Sequence, residues 1–294
     1  MIDTKRGLLH ADFSSFNSSK YVELAGKTIV VKYGGAALEH RELKDPTIRD
    51  IAFLQRVGAC VVIVHGGSRQ LDKRMREKGL QIRNTDGLRY TCDKTIEEAR
   101  VVFGEINTEI VDLLQGMGAA AIGLGGESGL IKAKLMKFET YGYVGDVKSV
   151  DVVRLKSIIK QGKIPVISAL GRADDGQVLN INADDAACAV ACSLHADKFI
   201  MLTDVEGILQ NTRDPSSLIS TIDAQGIESL LERHAVSQGM VRKVKACYKA
   251  VKAGISAIHI LSARQPHALI TEITGESHYG TQIIGEKSQI LVSR

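Results

Sequence analysis

The stretch Gly26-Lys27-Thr28-Ile29-Val30-Val31-Lys32-Tyr33-Gly34-Gly35 constrains the fold more than any other, because it carries a lysine into an apolar run and then stops at two glycines. Thr28 to Val31 is β-branched throughout, which fits a strand buried on both faces inside a parallel sheet. Such a strand needs helices on both sides, so the expected class is α/β. Lys32 falls at the strand's carboxyl end, where open α/β sheets place their ligands. Gly34 and Gly35 let the backbone approach a ligand and aim N–H groups at it, which suits a phosphate. A lysine snorkelling from a strand end beside an ordinary turn gives the same local pattern. Gly26-Lys27-Thr28 is not a P-loop: Tyr21 stands where the first glycine belongs, and the strand follows instead of preceding.

The pattern recurs along the chain. Cys60 to Val64 is a second apolar strand, ending in His65-Gly66-Gly67-Ser68 ahead of a helix from Ser68 to Lys78. Ala119 to Leu124 reads as a third buried strand, again followed by glycines, Gly125 and Gly126. Glycine turns feeding helix starts make anion-receptive N-termini. Asp45, with Pro46 in the first turn, predicts a helix reaching Val57, and Asp93 is the expected N-cap of a long helix to Gln115. Gln81 to Thr91 reads as a loop or hairpin and Leu130 to Val147 as β-hairpin material, before a helix over Val152 to Gln161 and a strand over Ile164 to Leu170. A helix through Leu194, a strand over Lys198 to Leu202, and a helix over Asp223 to His234 follow. Next come a basic helix carrying Arg242, Lys243 and Lys245, a strand over Ser256 to Leu261, a helix over Pro266 to Ile273 and the segment Gly280 to Ile284. The expectation is an α/β sandwich with a small antiparallel insertion.

A net charge of +4 over 294 residues, with no basic run, leaves no nucleic-acid footprint. No apolar run approaches a membrane span and the first residues lack the apolar core of a signal peptide, so a cytoplasmic location is expected. Cys60, Cys92, Cys188, Cys192 and Cys247 are scattered and fit reduced thiols, with Cys188 and Cys192 packing one helical turn apart instead of binding metal. Gly123-Leu124-Gly125-Gly126 misses the dinucleotide fingerprint because Ser128 takes the third glycine's place. Neither a nucleophile elbow nor a zinc-ligand spacing occurs. Phosphoryl transfer remains, a reaction in which the protein mainly positions groups and neutralises charge.

Six motifs then fall in the order and approximate spacing of the amino-acid kinase family, and the resemblance covers about residues 26 to 284. They are Val31-Lys32-Tyr33-Gly34-Gly35, His65-Gly66-Gly67, Asp86-Gly87-Leu88-Arg89, Asn180-Ile181-Asn182-Ala183-Asp184, Thr203-Asp204-Val205-Glu206-Gly207-Ile208-Leu209 and Gly239-Met240-Val241-Arg242-Lys243-Val244. The resemblance implies an open αβα sandwich with a mainly parallel central sheet. It implies an arm at 1–25, a lobe at 26–175 binding an acyl-amino acid and a lobe at 176–294 binding ATP. It further implies ATP-dependent phosphorylation of the γ-carboxylate of N-acetyl-L-glutamate on the route to arginine, with Mg2+ carried by the phosphates. Related acceptors are N-succinylglutamate and a carrier-linked α-aminoadipate of lysine biosynthesis.

Carried over by motif, Lys32 and Lys243 stabilise charge on the transferring group and Asp184 holds both lysines. Gly67, Ser68, Arg89 and Asn180 match the acyl-glutamate contacts, Arg89 suiting a carboxylate through its planar fork. Thr203, Asp204, Val205, Glu206, Gly207, Ile208 and Leu209, with Ala235, Val236 and Ser237, match the nucleotide contacts, and Gly34 and Gly35 face the phosphates. Plainer roles exist for several: Asp184 as an N-cap, Lys243 on a solvated helix face, Arg89 in a loop salt bridge. A carboxylate acceptor is already ionised at neutral pH, so no general base is needed, and His65 reads as a buried histidine orienting the glycine turn. Ser68 replaces the family's third glycine, and Gly125-Gly126-Glu127-Ser128-Gly129 replaces a lysine-bearing loop. A homodimer or a hexamer of dimers is expected. A catalytically idle arginine sensor is the rival reading, with His267, Glu272 and Gly280 where arginine-inhibited members bind arginine.

Overall fold

The computed structural model describes residues 21–35, 38, 41–211, 214–233, 236, 238–275 and 279–285. Most of the expected N-terminal arm, and with it Ala235 and Ser237, lies outside these residues. The first half runs β1 (Thr28–Tyr33), α1 (Arg41–Arg56), β2 (Cys60–His65), α2 (Ser68–Glu77), the hairpin β3 (Asn84–Thr85) and β4 (Leu88–Arg89), and α3 (Asp93–Gly116). Then come β5 (Ala121–Gly125), β6 (Ile131–Leu135), α4 (Phe138–Tyr141), β7 (Val144–Val150), α5 (Val152–Lys160), β8 (Ile164–Ser168), β9 (Leu170–Arg172) and β10 (Val178–Ile181). The second half runs α6 (Ala183–Leu194), β11 (Lys198–Thr203), β12 (Thr221–Asp223), α7 (Ala224–Glu232), α8 (Gln238–Lys252), β13 (Ala257–Ser262), α9 (Ala268–Ile273) and β14 (Gly280–Ile284).

Eight of these strands form one sheet in the order β12-β14-β13-β11-β1-β2-β8-β5. All its pairings are parallel except β13 with β14. From β1 the chain winds through β2 towards one edge, and from β11 through β13 towards the other, so the winding direction reverses between β1 and β11. Their carboxyl ends therefore open a crevice at the switch point of the sheet.

Strand periodicity decides which face each side chain joins. Ile29, Val31 and Tyr33 of β1 pack into one core with α1, α2, α3 and α9. Val30 packs into the other, with α5, α6, α7 and α8. Lys32 has the parity of Val30, so its side chain lies on the α6 side. The lysine inside the apolar run is thus aimed at one particular helix.

Several boundaries differ from the sequence reading. Helix α1 starts at Arg41, upstream of Asp45, and Pro46 lies inside it. The missing proline N–H costs one ladder bond, at the carbonyl four residues earlier, and burial of Ile48, Ile51 and Leu54 outweighs it. Cys92, not Asp93, is the N-cap of α3. Strand β5 is an edge strand and only partly buried. The segment read as hairpin material does form an antiparallel pair, β6 with β7, and that pair joins β9 and β10 in a small closed barrel. Tyr21 and Leu24, assigned to the arm, are buried in the first core, Tyr21 edge-on to Phe53 with ring centroids 5.0 Å apart. Among the described residues no helix is long and apolar enough to cross a membrane.

Candidate active site

The crevice is built from strand ends and helix starts. Lys32 Nζ lies 3.1 Å from Asp184 Oδ1, and Lys243 Nζ lies 3.0 Å from Asp184 Oδ2. The two ammonium groups, far apart in sequence, thus converge on one carboxylate. Lys32 and Asp184 are buried, at 8% and 5% exposure. Burial pushes the Asp184 carboxyl up, but the two lysines outweigh it and hold the group below the usual carboxylate range. Asp184 does not cap α6. Asn182 does, its side-chain oxygen accepting from the N–H groups of Asp184 at 2.9 Å and Asp185 at 3.1 Å. The cap leaves the Asp184 carboxylate free for the lysines.

A cleft beside this triad is lined by Lys32, Gly34, Gly35, Gly67, Ser68 and Lys243, together with Thr203 and Asp204. Gly67 is the N-cap of α2 and has no capping side chain. The first N–H groups of α2 are therefore open to an anion. A Cβ at Gly34 would stand 3.2 Å from Lys32 Nζ. At Gly35, with φ +67, a Cβ would run into the Asp204 carboxylate. Asp204 in turn accepts from Arg69 Nη2 at 2.6 Å, across the cleft.

A second pocket adjoins the first, sharing Gly66, Ser68 and Ala183 with it. It adds Arg89, Asn180, Leu71, Phe103 and Val144. Arg89 is held from behind: Nη1 bonds Asp72, and Nη2 donates to the Ser68 carbonyl at 3.0 Å. No bond from Arg89 Nε is found among the described residues, so the guanidinium keeps donor capacity beyond Asp72 and Ser68. Asn180 donates to Thr91 Oγ1 at 3.1 Å. Gly67, on the wall of the first cleft, admits no side chain, because a Cβ would lie 2.5 Å from Ile106 and 2.9 Å from Phe103.

His65 lies beneath the glycine turn, fully buried. Its Nδ1 pairs with the Gly66 carbonyl at 2.9 Å and its Nε2 with Asn107 Nδ2 at 3.0 Å. An amide nitrogen donates and a carbonyl accepts, so the ring is neutral with the proton on Nδ1. Burial lowers its pKa to about 4. Both ring nitrogens are engaged with the protein, so the imidazole props the turn and offers no base to the cleft.

The expected nucleotide residues spread along one rim. Thr203 and Asp204 line the cleft, Val205 and Glu206 are exposed, and Leu209 pairs with Leu218 in an isolated antiparallel bridge. Ile208 is held inside the protein. Its side chain is fully buried, its N–H donates to Thr281 Oγ1 at 2.8 Å and its carbonyl accepts from Ile219 at 2.9 Å. Ile208 thus anchors the turn that carries its neighbours. Val236 likewise packs against the second core.

His267, Glu272 and Gly280 line neither pocket of the cleft. His267 Nδ1 pairs with Asp50 at 2.6 Å, while Glu272 binds His259 at 3.1 Å and the Tyr279 N–H at 2.9 Å. Sequence reading missed Asn107, Asp72 and Arg69. Only Asn107 left a signal, a polar residue on the apolar stripe between Phe103, Ile106 and Ile110.

A crevice at a sheet switch point, two lysines on one aspartate and an uncapped helix start define a phosphate-handling α/β enzyme site. The chain belongs to the amino acid kinase family, whose sequence profile matches residues 27–262. Among its relatives is the acetylglutamate kinase of Thermosynechococcus vestitus, 41% identical over 266 residues, with 90% of each chain covered. That of Desulforamulus reducens is 37% identical over 268 residues, covering 90% of this chain and 93% of the other. A solved N-acetylglutamate synthase from Neisseria gonorrhoeae, complexed with coenzyme A and N-acetyl-glutamate, superimposes with a TM-score of 0.82 at 25% identity. The match covers 92% of this chain and 62% of the synthase chain. Giardia carbamate kinase shares the fold, with a TM-score of 0.68 at 17% identity over 89% of this chain and 100% of the other.

Proposed function

We propose that the chain transfers the γ-phosphoryl group of ATP to the γ-carboxylate of N-acetyl-L-glutamate, giving an acyl phosphate and ADP on the route to arginine. The observation that carries this reading is the convergence of Lys32 and Lys243 on Asp184 between two adjoining pockets. Relatives named acetylglutamate kinase, at about 40% identity over nearly the whole chain, favour the acceptor.

The acceptor carboxylate, with a reference pKa of about 4.3, is ionised at neutral pH and attacks phosphorus directly. The new oxygen–phosphorus bond forms as the bond from phosphorus to the ADP oxygen breaks, and ADP leaves with that electron pair. No proton moves, which agrees with a His65 committed to structural bonds. Lys32 and Lys243 sit at either side of the transferring group, and Asp184 keeps them from repelling each other. The open N–H groups of α2 and of the Gly34-Gly35 turn hold phosphate oxygens. The remaining donor capacity of Arg89 takes the α-carboxylate, with Gly67, Ser68 and Asn180 around the acyl group. In this reading 26–175 supplies the acceptor site and 176–294 the nucleotide site, with Thr203 to Leu209 at the nucleotide.

Among the described residues no group of three or more His, Cys, Asp or Glu is arranged to hold a metal. Asp184 is occupied by lysines, and the cleft's donors suit phosphate oxygens. In this reading Mg2+ is carried mainly by the phosphates, where it would neutralise charge. We further place the enzyme in a homodimer or a hexamer of dimers, with arginine as an effector acting near His267, Glu272 and Gly280. Unchanged turnover in millimolar arginine would remove that part.

The deciding assay is ADP release with N-acetylglutamate, N-succinylglutamate and N-acetyl-α-aminoadipate offered separately. Release dependent on N-acetylglutamate is expected. Ser68 puts a hydroxyl in the acceptor pocket, so the other two are the fair competitors, and activity only on one of them rejects the assignment.

A further inference from the structure

Arg242 stands beside Lys243 on α8, yet the two side chains serve different partners. Consecutive helix residues project about 100° apart. Lys243 meets Asp184 and Arg242 reaches Asp185, its Nη1 lying 3.6 Å from Oδ2. From there the Arg242 guanidinium extends over the β3–β4 turn, where Nε at 3.0 Å and Nη2 at 2.9 Å both donate to the Asp86 carbonyl. A Cβ at Gly87 would stand 3.4 Å from Arg242 Nε, so the turn is packed against the guanidinium. Asp86 and Gly87 have φ of 51° and 75°, the left-handed pair that a two-residue hairpin turn requires. On the far side Tyr141 donates its hydroxyl to Asp86 Oδ2 at 2.8 Å.

The hairpin needs such a hold. Its strands have two residues each and pair only with one another. An isolated two-stranded ribbon of this size is marginal in water. It nevertheless carries Arg89, two residues beyond Gly87, into the second pocket. One side chain therefore joins the hairpin bearing Arg89 to the helix bearing Lys243.

We propose that Arg242 is a positioning residue that clamps the β3–β4 turn to α8, so that occupation of the Arg89 pocket and placement of the Lys243 ammonium are coupled. What fills the pockets rests on the phosphoryl-transfer reading above; the clamp itself does not. An acceptor carboxylate on Arg89 stiffens the hairpin, the hairpin stiffens Arg242, and α8 is held with Lys243 towards Asp184. Lysine cannot replace the clamp, because one ammonium on a flexible stem does not reproduce the two-donor fork.

The test compares Arg242→Lys and Arg242→Gln with the unaltered full chain. Without any ligand, hydrogen exchange of the amides of 84–91 is expected to quicken about tenfold in both variants. With ligands, a non-hydrolysable ATP analogue is expected to tighten N-acetylglutamate binding about fivefold or more in the unaltered chain and about onefold in the variants. KM for the acceptor rises and kcat falls, while binding of the ATP analogue without acceptor stays within about twofold. Unchanged hairpin exchange, or a coupling ratio preserved in the variants, overturns the proposal. Arg242→Lys keeps the charge beside Asp185, so it decides the matter if Arg242→Gln does not fold. Failure of the unaltered chain to release ADP with N-acetylglutamate rejects the functional reading instead, and the ligand-free exchange measurement still judges the clamp.

Discussion

At Asp184 burial and charge pull against each other, and Lys32 with Lys243 decides the outcome in favour of the charged form. A carboxylate with a depressed folded pKa stabilises the fold above its unfolded pKa of about 3.9 and loses that contribution as pH falls through the folded value. Asp184→Ala would leave two ammonium groups facing each other in a buried place. It is expected to destabilise the protein by about 3–5 kcal/mol in urea denaturation. Lys32→Ala and Lys243→Ala remove one charge each from the transition state and are expected to lower kcat by about 10²–10³ in ADP release at saturating substrates. His65 titrates in another window. Its folded pKa of about 4 lies below the unfolded 6.5, so the neutral ring stabilises fully above pH 6.5 and the gain is lost as pH falls towards 4. Between those limits stability should fall by about 3 kcal/mol in the native protein, and His65→Gln should remove that slope. Lys32 was legible as a residue because a charge inside an apolar run needs a partner, whereas Lys243 and Asp184 stood out only through the motif resemblance. Asp72 behind Arg89 was not, since a surface-type aspartate on a polar helix carries no mark of its partner.

Element ends account for most of the differences between expectation and structure. Capping is decided by backbone conformation, so Cys92 caps α3 although Asp93 has the better side chain. At α6 the cap and the carboxylate that binds both lysines are separate neighbours, Asn182 and Asp184. Asn182→Ala should therefore cost about 1 kcal/mol of stability, read from the urea midpoint. It should also lower kcat, because the first turn that orients Asp184 frays. The Gly34-Gly35 turn tolerates less. Gly35→Ala meets both a left-handed φ and the Asp204 carboxylate, so binding of a nucleotide analogue should weaken by about tenfold or more, measured by calorimetry.

Across the whole molecule, the site belongs to neither half alone. β1 pairs with β11 on one side and β2 on the other, which brings Lys32, the Gly66-Gly67 turn and Thr203 to one crevice. Ligands spanning it should tie the two ends of the sheet together. At about 100 times its Kd, a non-hydrolysable nucleotide should add about 2.7 kcal/mol to unfolding free energy, visible as a rise in Tm. N-acetylglutamate should add to that rise.

From the sequence alone came the strands, their two-faced burial and the residue types that handle phosphate, because period, β-branching and glycine turns are local properties. The parity of Lys32 with Val30 was also written there, and with it the face on which the lysine must lie. Strand order, the closure of β6, β7, β9 and β10 into a barrel, and the grip of Arg242 on Asp86 were decided only in three dimensions. Each joins segments distant along the chain through backbone groups, and a backbone carbonyl looks the same in every residue.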